Sequence, residues 1–214
     1  PLSALQIDKI REDFPLLSHA TEQPPLAYLD NAATTQKPRA VIEAVRSFYL
    51  HDNANVHRGL YALSMSATTY YEEARQTIAD FIKAPEVREC VFVRGTTEAI
   101  NLVASAYALD RLGPQDEILI TYLEHHANIV PWQRVCERTG AKLVVAPVSL
   151  QGDILLDEFK KCLNHHTKIV AFTYASNAIG TLNPVKQMTA MAHAVGAVVL
   201  VDGAQAVAHV PIDV

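Results

Sequence analysis

Cysteine is scarce in this chain. Cys90, Cys136 and Cys162 are odd in number and not closely spaced. That argues against a disulfide framework or a zinc site and for a reducing compartment, with small buried apolar side chains as the plain reading of all three. No apolar run reaches the roughly 18 residues that a membrane span needs, and the chain opens Pro-Leu-Ser-Ala without a charged-then-apolar leader, so a cytoplasmic location is expected. Basic residues are not in surplus: 18 Lys and Arg against 23 Asp and Glu give a net charge of -5, which points away from nucleic acid and from a membrane surface. Internal repeats, low-complexity tracts and long linkers are also missing.

What remains is a soluble globular composition, 50% hydrophobic and 19% charged over 214 residues, long enough for one domain with a sizeable core. Ile7 to Phe14 reads as a short amphipathic helix stopped by Pro15. Pro24-Pro25 reads as a loop before a short strand, Leu26 to Leu29. Pro38 opens a helix to about Leu50, and Ser64 to Ile82 is a longer one. An alternation follows: strand Cys90 to Val93, helix Thr97 to Leu112, strand Glu117 to Thr121, helix Ile129 to Arg138, strand Lys142 to Ala146. It continues with helix Leu156 to Leu163, strand Lys168 to Thr173, helix Val185 to Val195 and strand Ala197 to Val201. Short apolar strands separated by helices predict an α/β fold with a mostly parallel sheet flanked by helices and right-handed crossovers.

In such sheets ligands bind beyond the carboxyl ends of the strands. There the chain places Arg94-Gly95-Thr96-Thr97, Leu123-Glu124-His125-His126, Tyr174-Ala175-Ser176-Asn177 and Asp202-Gly203-Ala204-Gln205. Asp202 puts a carboxylate at the tip of a buried strand, where a protonated heteroaromatic nitrogen would pair with it; a helix N-cap or a magnesium ligand fits the position equally. Gln205, three residues on, would donate to a ring oxygen. Gly95 with Thr96 and Thr97 at a helix start suits a phosphate, or is an ordinary Thr cap; without a Walker lysine it is no nucleoside triphosphate loop. Adjacent histidines diverge and no His-Glu-x-x-His spacing is present, so no metal site is expected and His125 reads best as an imidazole stacked on a flat cofactor and placed to move protons. Asn177 would contact a ring oxygen and a substrate carboxylate, or simply make a turn before Gly180. Arg58, in Asn55-Val56-His57-Arg58-Gly59, would meet an acidic substrate or cross a subunit boundary, or lie in a solvated loop. His165-His166 reads as a surface helix end without a role.

Taken together, Arg94-Gly-Thr-Thr-Glu98, Glu124-His-His-Ala-Asn128, Ser176-Asn177 and Asp202-Gly-Ala-Gln205 resemble the group II cysteine desulfurases, the SufS-like and CsdA-like branch of class V aminotransferases. Tyr28-Leu-Asp-Asn-Ala-Ala33 and Val56-His-Arg-Gly59 match as well, so the resemblance covers essentially the whole chain. It implies the large domain of a fold-type I enzyme that uses pyridoxal 5'-phosphate (PLP) and works as a homodimer. Such an enzyme takes sulfur from L-cysteine, releases L-alanine, leaves a persulfide on an enzyme cysteine and serves a sulfur-acceptor protein. By position, Asp202 pairs with the pyridine nitrogen, Gln205 with the ring hydroxyl, Thr97 and its neighbour Thr96 with the phosphate; His125 stacks on the ring and Asn177 lies near the substrate carboxylate. The resemblance makes residues 1–20 a segment packing with a small domain, and residues 21–214 a partial large domain that continues past the chain end.

One departure matters. In the family a Ser-x-His-Lys segment follows the Asp-x-x-Gln strand, its Lys forms the Schiff base, and a persulfide-forming Cys lies further on. No lysine follows Asp202 here, and none of the three cysteines matches the family's sulfur carrier. The chain is therefore expected to be an inactive fragment of a larger enzyme, with apolar surface exposed where further strands would pack. Selenocysteine lyase acting on L-selenocysteine, another class V enzyme such as a kynureninase, and a non-catalytic scaffold that kept the fold stand as alternatives.

Overall fold

The second half of the chain alternates short apolar runs with amphipathic helices, and each run finds a neighbour. In the computed structural model, which describes residues 4–18 and 26–214, the strands are β1 (Glu117–Thr121), β2 (Lys142–Ala146), β3 (Thr167–Thr173) and β4 (Val198–Asp202). They form one sheet in the order β2-β1-β3-β4, with every pair parallel. Central β1 and β3 are almost wholly buried, while edge strands β2 and β4 are partly open. That burial explains why the central strands read as unbroken apolar runs rather than alternating ones.

The chain separates into two units, residues 1–90 and 91–214. In the second unit, helices α4 (Thr96–Val103), α5 (Val130–Thr139), α6 (Leu156–Cys162) and α7 (Val185–Ala194) cover the two sheet faces. Ile118 and Ile120 of β1 and Ile169 and Ala171 of β3 pack with Ile100, Trp132 and Val135 from α4 and α5. The opposite pleats, Leu119, Val170 and Phe172, pack with Phe159 of α6 and Met188 and Ala192 of α7. This is the period-two division of a strand between two layers. Helix α5 ends on Gly140 in the left-handed region (φ 78°), where a side chain would be strained.

The first unit holds α1 (Ala4–Glu12), α2 (Arg39–Ser47) and the 21-residue α3 (Ala62–Ile82). Pro38 caps α2 rather than occupying its first turn, and one π-helical turn, Phe48–Asp52, extends it. Between α2 and α3, His57 adopts φ 63°; its N–H donates to Thr68 Oγ1 at 2.9 Å and its Nε2 pairs with Glu72 at 2.7 Å. The buried described residues of this unit are Ser64, Ala67, Ala79 and Cys90.

Several expectations need correction. Leu26 to Leu29 and Cys90 to Val93 are not strands: no described strand pairs with either, and Leu29 and Val91 stand 93% and 64% exposed. The helix expected over Thr97 to Leu112 is α4 followed by a π-helical turn, Ala104–Ala108. Cys90 is buried, but Cys136 and Cys162 are only half-buried. His165 and His166 sit in the turn before β3 rather than on a helix end. The expected loop Pro24-Pro25 lies outside the described residues.

Candidate cofactor site at the carboxyl edge of the sheet

From β1 the chain runs through α5 to β2 on one side, then returns across β1 to β3 and β4 on the other. The carboxyl ends of β1 and β3 therefore flank the switch point where connections diverge, the place where α/β sheets bind ligands. Thr121 ends β1, Thr173 ends β3, and Asp202 ends β4 in register with Thr173.

Asp202 is buried. Its backbone carbonyl accepts from the Tyr174 N–H at 2.8 Å, and its Oδ1 accepts from the Ala204 N–H at 2.9 Å. The described residues offer Oδ2 no hydrogen bond, and that oxygen is accessible rather than buried and unpaired. An accessible carboxylate oxygen on an otherwise buried residue is placed to meet a donor or cation. Half-buried Gln205 follows in the turn after β4.

Beside it the Glu124 carboxylate is the hub of a buried network. Thr121 Oγ1 donates to Glu124 Oε1 at 2.5 Å, and Asn128 Nδ2 donates to Oε2 at 2.7 Å. The Asn128 oxygen is in turn held by Trp132 Nε1 at 2.8 Å. Burial pushes the Glu124 carboxyl up to about 7; the Thr121 and Asn128 donors and the Thr173 backbone oppose that rise and the Asp202 charge adds to it.

His125 follows Glu124 and opens the turn. Its Nδ1 accepts from the Ala127 N–H at 3.2 Å and its carbonyl accepts from the Asn128 N–H at 2.7 Å, so the residue caps the 3-10 turn His126–Asn128. With Nδ1 used as an acceptor, the neutral ring carries its proton on Nε2. The exposed His126 ring lies against it, centroids 4.0 Å apart.

Helix α4 packs on that turn and opens without a side-chain cap. Gly95 is extended, and a Cβ there would meet nothing within 4 Å, so the space before the uncapped amides of Thr96 and Thr97 is open. Glu98 instead reaches back to Arg94, accepting from its backbone N–H at 2.7 Å and its Nε at 3.2 Å, which holds the Glu98 carboxyl below its ordinary range. An uncapped helix start with open space in front is an anion site in character.

Asn177 stands exposed at the tip of a loop that closes on itself: the Asn183 N–H donates to Tyr174 O at 2.9 Å and the Asn183 Nδ2 donates to Thr173 O at 2.7 Å. The edge thus gathers Thr96, Thr97, His125, Asn177, Asp202 and Gln205 in one unit. Arg58 is exposed in a loop of the other. Sequence reasoning gave Glu124, Asn128 and Trp132 no part. Their spacing of four was the available signal, although Glu124 precedes the 3-10 turn and only Asn128 and Trp132 lie in helical segments. Burial raises the thiols of Cys136 and Cys162, which leaves less thiolate on either. Among the described residues no three His, Cys, Asp or Glu side chains are grouped to hold a metal ion.

The residues that form this edge fall inside a family match. The model for the aminotransferase class-V family matches residues 27–214. A probable cysteine desulfurase of Mycolicibacterium paratuberculosis is 54% identical over 205 residues, 96% of this chain and 30% of that protein. A cysteine desulfurase of Dickeya dadantii is 49% identical over all 214 residues, 52% of its length. Among solved structures, the cysteine desulfurase CsdA of Escherichia coli superposes with a TM-score of 0.84 at 41% identity, over 96% of this chain and 50% of that one. The apo cysteine desulfurase of Thermococcus onnurineus gives 0.89 at 36% identity, over 96% and 49%. The chain therefore spans a third to a half of the length of the relatives it matches.

Proposed function

Since this chain belongs to the aminotransferase class-V family, we propose that it carries much of the cofactor cup of a PLP-dependent cysteine desulfurase, one that takes sulfur from L-cysteine, releases L-alanine and leaves a persulfide on an enzyme cysteine. The observation that carries this reading is Asp202, a buried residue whose one unpaired carboxylate oxygen is accessible, in the same unit as an uncapped, open helix start. A ring bearing a protonated nitrogen at one end and a phosphate at the other asks for those two features.

Bound PLP supplies an electron sink for the substrate carbon. Asp202 Oδ2 holds the proton on the ring nitrogen and so keeps that sink charged. Gln205 donates to the ring hydroxyl, and the Thr96 and Thr97 amides and hydroxyls hold the phosphate. His125 lies on the ring face, with Nε2 the atom that gives or takes a proton while Nδ1 stays bound to Ala127. Asn177 orients the substrate carboxylate, and Arg58 is a further candidate to meet an acidic substrate or to cross a subunit boundary.

The remaining readings are of the same grade. A homodimer, a sulfur-acceptor protein, a cytoplasmic site of action and a docking role for residues 1–20 against a small domain are proposed on the likeness to the desulfurases. No described helix is long and apolar enough to cross a membrane. The test is a substrate panel on the full-length protein loaded with PLP. Alanine formed from L-cysteine, in step with persulfide or sulfide, is expected. Turnover of L-selenocysteine, a kynurenine or a keto acid without any of L-cysteine would overturn the assignment.

A further inference from the structure

Glu124 has no part in the roles above, yet it is the most completely bonded acid of the sheet edge. Two donors converge on it from two segments: the Thr121 hydroxyl from the end of β1 and the Asn128 amide from the turn His126–Asn128. The end of β1 flanks the switch point of the sheet. His125 is bracketed inside this arrangement. The Glu124 and Asn128 side chains close a loop across it, and the Asn128 N–H holds its carbonyl.

The chemistry of the donors also dictates an acceptor at this position. The Asn128 amide cannot flip, because its oxygen already holds Trp132 Nε1. Only the Thr121 hydroxyl is free to reverse its role. A carboxylate satisfies both donors, a glutamine fits in one orientation, with its amide nitrogen toward Thr121, and an apolar residue strands buried donors.

We propose that Glu124 is a positioning residue: by tying the end of β1 to the turn His126–Asn128, it fixes the orientation of the His125 imidazole over the cofactor. This rests on the reading above that His125 faces the PLP ring. A site held this way loses precision rather than binding when its support is removed.

The experiment uses the full-length protein loaded with PLP and compares Glu124→Ala, Glu124→Gln and Thr121→Val with the wild type. Three readouts are taken: the visible circular dichroism per bound PLP, which senses ring orientation; kcat and KM for L-cysteine; and the emission of Trp132, the one tryptophan of these 214 residues. Glu124→Ala is expected to lower the visible signal to about half or less, to reduce kcat about tenfold with little change in KM, and to shift Trp132 emission. Glu124→Gln is expected to restore most of the visible signal. A Glu124→Ala protein that melts earlier but keeps the wild-type visible signal and kcat below its melting point would overturn the proposal and leave Glu124 a merely structural residue. Should Glu124→Ala not fold, Thr121→Val carries the same test, a lowered visible signal supporting the proposal and an unchanged one overturning it. A wild-type protein without any visible cofactor band would overturn the PLP reading itself, and this inference with it; a normal wild-type band with unchanged variants overturns this inference alone.

Discussion

Residues 91–214 and residues 1–90 are similar in apolar content to the eye but differ in what they do with it. The second unit buries Trp132, Phe159, Phe172, Ile118, Leu119 and Val170 completely between a sheet and two helix layers. The first leaves Leu29, Leu60 and Tyr49 at 93%, 98% and 69% exposure and buries only small described side chains. A sheet accounts for the difference. Parallel strands give helices a flat apolar surface on each side, whereas helices with few shared faces must leave their stripes open. The fully buried large side chains and the candidate cofactor edge therefore lie in the second unit.

Four outcomes would break or sharpen this contrast. The largest concerns the site. In the full-length protein, Asp202→Ala is expected to reduce kcat/KM for L-cysteine by about 100-fold or more, because the lost group is a buried charge aimed at the reacting ring; a loss of less than tenfold would put the site elsewhere. Next is packing. Phe159→Ala should cost the 214-residue chain about 3–5 kcal/mol in denaturant unfolding, while Leu60→Ala should lie within about 0.5 kcal/mol of wild type. Equal effects would erase the distinction between the units.

The third is a pH dependence. The Glu124 pKa is raised in the folded state to about 7, so the folded chain binds this proton more tightly than the unfolded one. Stability from this group is then full below the unfolded carboxyl value and declines as pH rises to about 7, by up to roughly 3 kcal/mol. Glu124→Gln should flatten that slope, which urea titrations from acid to neutral pH would read; an unchanged slope would assign it to another group. The smallest lies in the first unit. Lys83 ends α3 in the left-handed region (φ 57°), so Lys83→Gly should stabilise by about 0.5–1 kcal/mol, measured as a raised melting temperature.

How far the sequence carried this picture depends on how local each feature is. All four strands of the sheet were legible, to within a residue, because each is a short apolar run bounded by turns and buried by its neighbours. Leu26 to Leu29 and Cys90 to Val93 look the same in sequence yet pair with no described strand, since pairing depends on what lies beside a run. The positions of the polar residues after β1, β3 and β4 were legible because parallel strands share one carboxyl edge. The Glu124 network was not. Thr121, Glu124, Asn128 and Trp132 each look ordinary, and their connection depends on how the chain turns after β1. The wish of Asp202 for a partner was visible as a buried charge; that one of its oxygens stays unmatched required the fold.

The most direct measurement of the central claim is the protonation of the bound cofactor's ring nitrogen, read by nitrogen NMR of labelled PLP in the full-length protein. A protonated ring in the wild type that becomes neutral in Asp202→Ala is predicted. A neutral ring in the wild type, or a protonated one that persists without the Asp202 carboxylate, would contradict the account.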